Sequence, residues 1–377
     1  MIEGLSALKT RSLEEHNQIA GFEYSSKINR TEQERSARLI AQGGDYKAID
    51  RELEKSRLFD EQIKRVKEQA FIGFLTPENW KMLTALELFD TGTFEHSVDT
   101  YHIARNKIEK VLDGQVIIAK LIEQEGVLLE QFYRACLFHD IGKIEIPNFL
   151  INNKLTDGDW MDILCRMVCE EHNEELSRAV IKKTGLSLGA LSDEQHLRAV
   201  FAEKLLRAVK LVPVKEALTG EEIEELKARG FSPDMSLSKI LEAHEEASER
   251  ILREAQFDIE GKLVGQHHNY KGKKIDEMEV PVATSSLCIS VSLADVMHLA
   301  DVQQALQQHR SYKTKQSKIC MLATLAHQAE LGYVSEYIAY LWINDEMKDI
   351  SPEELQSEGN QADLLTIHAL LDRYHAK

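Results

Sequence analysis

The run Phe138-His139-Asp140-Ile141-Gly142-Lys143-Ile144-Glu145-Ile146-Pro147 sets a histidine directly before an aspartate at the end of an apolar helical stretch. Neutral imidazole and carboxylate are the usual nitrogen and oxygen donors to divalent transition metals, and the two oxygens of one aspartate can join two ions. Taken alone, the doublet reads first as a helix end whose aspartate caps a loop and whose histidine packs locally, so a chemical meaning rests on its company. That company is His96 upstream, and His244, the pair His267-His268 and Asp301 downstream. Of the 14 histidines, His16, His102, His196, His298, His309, His327, His368 and His375 have no partner pattern and read as surface or satisfied core residues.

The elements that must carry these donors read as helices. Val98, Tyr101, Ile108 and Leu112 fall near one face of a helix that includes His96, and the pattern continues through residues 117–122 and 127–138. Capping patterns recur at Thr76-Pro77-Glu78-Asn79, at Ser192 to Gln195, at Thr219 to Glu222 and at Ser351-Pro352-Glu353-Glu354. With 19 glycines, 6 prolines and few strand signals, the chain is expected to be all-α.

Composition bounds the function. At 377 residues the chain can bury a large core, and 43% hydrophobic with 29% charged residues is that of a globular protein. A net charge of -17 argues against binding to nucleic-acid polymers, which rests on a basic surface, so an anionic substrate must be held by a local cationic patch. The N-terminal residues lack a signal-peptide pattern and no apolar run reaches membrane-spanning length, so a cytoplasmic protein with no membrane partner is expected. The five cysteines, Cys136, Cys165, Cys169, Cys288 and Cys320, read as reduced core residues.

Three blocks are expected: a charged helical module over 1–75, a main domain over 76–345 and a helical tail over 346–377. The N-terminal helices have two readings, a solvated face packed on the main domain or a regulatory arm through which the chain forms a homo-oligomer.

The segments Thr93-Phe94-Glu95-His96-Ser97-Val98, FHDIGKIEIPNFLINNKLTDGDW, the helix starting His244-Glu245-Glu246-Ala247, Gln266-His267-His268-Asn269 and ADVQQALQQHRSYK occur in this order. Over roughly residues 85 to 345 the chain thereby resembles the HD-domain metal-dependent phosphohydrolases, and within them the HD-GYP branch known for cyclic di-GMP phosphodiesterases. The resemblance implies an all-α HD-domain bundle holding two divalent transition-metal ions, iron or manganese foremost, with zinc or nickel as alternatives. His96, His139, Asp140 and Asp301 match the ligands of one ion; Asp140, His244, His267 and His268 match those of the other, with Asp140 bridging. Lys143, Arg310 and Lys313 match cations that hold the substrate phosphate. The implied activity is hydrolysis of a phosphodiester in a nucleotide second messenger, cyclic di-GMP foremost, by a hydroxide shared between the ions, with Asp140 and Lys143 as the catalytic residues. Two other functions stay open at this level: a metal-bearing but inactive nucleotide sensor, and an HD-fold di-iron oxygenase.

The chain departs from that family in several places. The family's Glu, Asp-Gly and Gly-Tyr-Pro continuation is replaced by Asn269-Tyr270-Lys271-Gly272-Lys273-Lys274, and a glutamate that supplies a third metal in some members is Gly92 here, which leaves two metals expected. The family's aspartate shortly after the last ligand is Gln304. A helical insertion over about 173–236, including the amphipathic EALTGEEIEELKARG, separates the two candidates for the middle ligand, His172 and His244; the helix HEEASERIL leading to His267 favours His244. Asp295 shares its Ala-Asp-Val triplet with Asp301, and the spacing to Arg-Ser-Tyr-Lys favours Asp301.

Overall fold

The computed structural model describes residues 57–70, 72–112, 127–151, 157–194, 197–198, 201, 205, 208–268, 278–281, 288–307, 317–357 and 360–375. The described residues fall into two compact units divided between Thr91 and Gly92. They are all-α apart from one antiparallel strand pair, β1 (Met278–Pro281) and β2 (Cys288–Val291), in which Met278 faces Val291 and Pro281 faces Cys288.

In the first unit lie α1 (Arg57–Ala70) and α2 (Pro77–Phe89). Thr76 caps α2 as its pattern indicates: its Oγ1 accepts the Asn79 N–H at 3.3 Å, and Asn79 Oδ1 accepts the Thr76 N–H at 3.1 Å. Arg65 of α1 donates to the buried Glu87 carboxylate of α2 at 2.8 Å, so the two helices are joined by charge as well as by apolar contact.

The second unit begins at Gly92, one residue into α3 (Thr91–Lys107), which ends in a π turn over Ile108–Leu112. Val98, Tyr101, Ile108 and Leu112 are all buried, as their spacing requires. Next come α4 (Leu129–Phe138), a 3-10 turn over Ile141–Glu145, α5 (Asn148–Ile151), α6 (Asp157–Cys165) and α7 (Glu174–Thr184). After further 3-10 turns come α8 (Gly220–Ala228), α9 (Leu237–Glu254) and α10 (Asp258–Val264). Beyond the strand pair follow α11 (Leu293–Gln307), α12 (Lys318–Glu330), α13 (Glu336–Met347), α14 (Pro352–Gln356) and α15 (Gln361–His375).

The stretch expected as an insertion is built into a core of its own. Leu176, Val180, Leu191, Val209, Val214 and Leu226 cluster with Ile146, Trp160, Leu164 and Ile240, so its apolar side chains are removed from water together with those of α6 and the start of α9. Within α8, Leu226 alone is buried and the acidic face is left to solvent, in line with an amphipathic helix. The Thr219 and Ser351 capping boxes form. Ser192 ends the 3-10 turn Leu188–Ser192 and its hydroxyl donates back to the Gly189 carbonyl at 2.8 Å; Gln195, the other half of its expected cap, lies outside the described residues.

Two contacts fix the helices that carry the donor residues. α9 packs against the 3-10 turn and α10. Gly142 makes the first approach possible, since a Cβ there would meet the His244 carbonyl oxygen at 2.1 Å and the Ser248 nitrogen at 2.5 Å; its own N–H donates to Ser248 Oγ at 2.8 Å. At the other side, Lys107 at the end of α3 is buried between Asp345 (2.6 Å) and Glu346 (2.7 Å) of α13. Trp342 on the same helix donates its indole N–H to Gln303 of α11 at 2.6 Å. Thus α3 and α11 are both anchored to α13.

Candidate metal centre

Asp140 is at the junction of α4 and the 3-10 turn, where it is the N-cap residue but makes no side-chain cap bond. Its carboxylate is turned inward instead, buried with His139. That excludes the capping role open at the sequence level. Oδ2 lies 3.4 Å from both His96 Nε2 and His139 Nε2, and Oδ1 lies 3.2 Å from His244 Nε2. One carboxylate therefore faces two groups of donors with its two oxygens.

The first group is His96 from α3, His139 from the end of α4, and Asp301 from α11, whose Oδ1 is 2.9 Å from His96 Nε2 and 3.7 Å from His139 Nε2. The second is His244 from α9 with His267 and His268 from the turn that follows α10. The donor atoms of His96, His139 and Asp140, and those of His244, His267 and His268, lie within 4.8 Å of one another in each set. His244 owes its inward position to the amphipathic period of α9, which buries Leu237, Ile240, His244, Ser248 and Ile251 along one stripe.

The ring orientations test whether the residues suit a metal. His139, His244 and His267 each direct Nδ1 to the backbone carbonyl three residues earlier, Cys136, Leu241 and Val264, at 2.8 Å for the first and 2.6 Å for the last. His96 directs Nδ1 to the side-chain carbonyl of Gln304, and the Gln304 amide donates onward to Asp99 Oδ2 at 3.3 Å. A proton held on each Nδ1 leaves every Nε2 lone pair pointing inward, the arrangement that metal-ligating histidines adopt. His96 Nε2 and His139 Nε2 are 3.1 Å apart, and His244 Nε2 and His267 Nε2 are 3.3 Å apart. Two lone pairs at such distances repel unless a cation lies between them. Bonds of about 2.1 Å to one ion give ligand edges from about 3.0 Å in an octahedral site to about 3.4 Å in a tetrahedral one, so the spacing fits a shared ion in each group. These buried His and Asp clusters could hold metal ions.

The charge balance of the metal-free protein agrees. Burial opposes charge on His139, but Asp140 and Asp301 outweigh it and push its pKa up to about 10. Burial likewise opposes ionised Asp140 and Asp301, yet Lys143 and His139 hold Asp140, and His139 and His96 hold Asp301, well below the usual carboxylate range. On the other side burial depresses His244 and His267, and brings His268 down to about 4. A proton on His139 thus serves as the cation for the carboxylate side, and the all-histidine side stays neutral; a bound metal would displace that proton. Lys143 Nζ lies 2.5 Å from Asp140 Oδ2 with part of its side chain open to solvent, adding a cation at the edge of the cluster.

His172 is not in the cluster; it is exposed, with a left-handed φ of 51°. Asp295 is not in it either: Asp295 Oδ2 accepts the Ser292 N–H at 2.9 Å and Ser292 Oγ accepts the Asp295 N–H at 3.2 Å, a reciprocal cap at the start of α11. His102 packs its ring on Tyr101. Arg310, Lys313 and the basic stretch 269–274 lie outside the described residues. Beyond the residues expected from sequence, the structure adds His298, buried between the His267 carbonyl (3.1 Å) and Gln328 (2.7 Å), and Glu245, which accepts the His268 N–H at 3.1 Å. Both hold the backbone that carries the histidine pair. The three-residue step from Asp301 to Gln304 along one helix face was the available signal for Gln304.

Among the described residues, no helix is long and apolar enough to cross a membrane, and Cys136, Cys165, Cys169 and Cys320 are free thiols. No family model matches the chain, and neither a curated protein nor a solved structure matches it.

Proposed function

We propose that this chain is a cytoplasmic, metal-dependent phosphohydrolase of the HD-domain type that hydrolyses a phosphodiester of a nucleotide second messenger, with cyclic di-GMP the leading substrate. The observation that carries the reading is the shared carboxylate: Asp140 offers one oxygen to His96 and His139 and the other to His244, between two buried donor groups. Two divalent ions bound there would lower the pKa of a shared water and offset charge on the attacked phosphoryl oxygens. The chain's own residues do the rest. His96, His139 and Asp301 would hold one ion and His244, His267 and His268 the other, with their Nδ1 bonds fixing the rings so that little reorganisation is needed.

Lys143 supports a phosphate rather than a neutral substrate. Its ammonium is held at the cluster by Asp140, only part-buried, where it can meet an equatorial phosphoryl oxygen. Arg310 and Lys313 are proposed as the cations that seat a second part of the substrate, by the resemblance alone. The basic stretch 269–274 stands where the family carries its tyrosine-bearing loop, so a linear dinucleotide should be turned over at least as well as the cyclic one. The N-terminal helices are proposed to bring copies of the chain together.

The test is incubation of protein loaded with iron, manganese, zinc or nickel with a panel of cyclic and linear nucleotides, with chromatographic separation of the products. Hydrolysis of a phosphodiester supports the reading. Tight, saturable nucleotide binding by calorimetry without product under any metal would replace it with a sensor.

A further inference from the structure

Three of the four buried rings of the cluster are oriented by the backbone of their own helix or turn: His139, His244 and His267 each use the carbonyl three residues earlier. Such an acceptor comes with the local fold and cannot turn away. His96 is different. Its Nδ1 is met by the side-chain carbonyl of Gln304, 208 residues away in sequence and on another helix.

A glutamine is an ambiguous orienter, because rotating its amide exchanges an acceptor for a donor. Facing His96 with the carbonyl, it keeps the proton on Nδ1 and leaves Nε2 as the inward lone pair. Facing His96 with the NH2 group, it would favour the opposite tautomer and put a proton where an ion should bind. Asp99 resolves the ambiguity: it is one helical turn beyond His96 on α3, and its Oδ2 accepts from Gln304 Nε2 at 3.3 Å. A carboxylate accepts and does not donate, so it selects the amide orientation that presents the carbonyl to His96. Gln304 is buried, with 4% of its surface exposed, so water does not compete readily for either end.

We propose that Asp99 and Gln304 are a positioning pair that sets the tautomer of His96 and thereby the affinity of the first donor group, His96, His139 and Asp301, for its metal, without touching the metal. This rests on the reading of the cluster as a metal centre. The pair reaches only one of the two groups, so it also predicts unequal loss of the two ions when it is broken.

The experiment is chelator competition with zinc on the full chain, read as the affinity of each ion, alongside thermal melting of the metal-free protein. Gln304→Leu should weaken one of the two ions by roughly 10- to 100-fold and leave the other unchanged. Gln304→Glu alone sets a second carboxylate against Asp99 and should weaken the same ion. Combining Gln304→Glu with Asp99→Asn exchanges amide and carboxylate, again gives His96 an acceptor with a donor behind it, and should restore the affinity; a merely structural role would not show this rescue. If the exchanged pair binds no better than Gln304→Glu, or if Gln304→Leu keeps both affinities, the inference is overturned. A readout that needs no variant is the 15N spectrum of zinc-loaded, histidine-labelled wild type, in which the His96 ring proton should be on Nδ1; a proton on Nε2 overturns the inference too. Wild type that takes up no zinc would instead sink the metal centre itself, so the two failures are distinguishable.

Discussion

Replacing Gly142 by alanine is the sharpest perturbation of the scaffold beneath the cluster. The added methyl would be 2.1 Å from the His244 carbonyl oxygen, 2.5 Å from the Ser248 nitrogen and 2.8 Å from Ser248 Oγ. Two of those atoms are backbone of α9 and are the acceptor and donor of one helical hydrogen bond, so no side-chain rotation relieves the clash. Ordinary contact begins near 3.4 Å, and the 3-10 turn must part from α9 by roughly 1.3 Å. Overpacking of this kind costs about 1–3 kcal/mol, and the Gly142 N–H bond to Ser248 would be lost besides. The metal consequence is larger than the stability consequence. Asp140 stands at the start of the turn and His244 on the displaced helix, 3.2 Å apart, whereas a metal site tolerates only about 0.2 Å in its ligand distances. Gly142→Ala should therefore melt lower and lose the ion of the His244, His267 and His268 group, while the His96, His139 and Asp301 group keeps much of its affinity. Elemental analysis and differential scanning calorimetry are the assays. A variant with wild-type melting and unchanged metal content would refute the reasoning about close approach.

Three further outcomes are expected. His172→Gly should leave metal content unchanged and, by relieving a left-handed backbone at φ 51°, raise stability by up to about 1 kcal/mol, whereas His244→Ala should lower metal content; elemental analysis giving the reverse would move the ligand to the other side of residues 173–236. Lys107→Met should cost about 1–3 kcal/mol in denaturant unfolding, because it removes the buried cation that Asp345 and Glu346 share and leaves them only the more exposed Lys348 and Lys318; a cost below about 1 kcal/mol would show that those two lysines suffice. Acid should also separate Lys107→Met from wild type. Burial pushes Asp345 and Glu346 up, but Lys107 and its neighbours hold both below their ordinary values. A depressed folded pKa contributes stability that is full above the unfolded value, near 4, and is lost as pH falls through the folded one. Melting temperature should fall below about pH 4 in wild type and fall less steeply in the variant.

How far the sequence could be read follows from the range of each interaction. The apolar period of α9, the caps at Thr76, Thr219 and Ser351, and the inward side of α3 are set by residues within a turn or two of each other, and spacing alone displays them. The donors His96, His139, Asp140, His244, His267, His268 and Asp301 were legible in another way, through the order of motifs that resembles a known family, and the fold brings them together. What spacing cannot display is pairing between distant elements. Gln304 carries no local sign of a role because its partner His96 is on another helix, and nothing near Gly142 in the chain shows that α9 lies against it. Asp295 and Asp301 share a local triplet; the spacing to Arg-Ser-Tyr-Lys favoured Asp301, and the Ser292 N–H that Asp295 accepts, three residues earlier, accounts for the other aspartate as a cap.

The most direct test of the metal-centre account is the metal content of protein purified with and without oxygen and reconstituted with iron, manganese or zinc, compared between wild type and Asp140→Ala. Because Asp140 serves both donor groups, wild type should hold close to two ions per chain, and Asp140→Ala should lose both rather than one. Wild type that binds no transition metal under any of these conditions, or an Asp140→Ala protein that keeps both ions, would contradict the account.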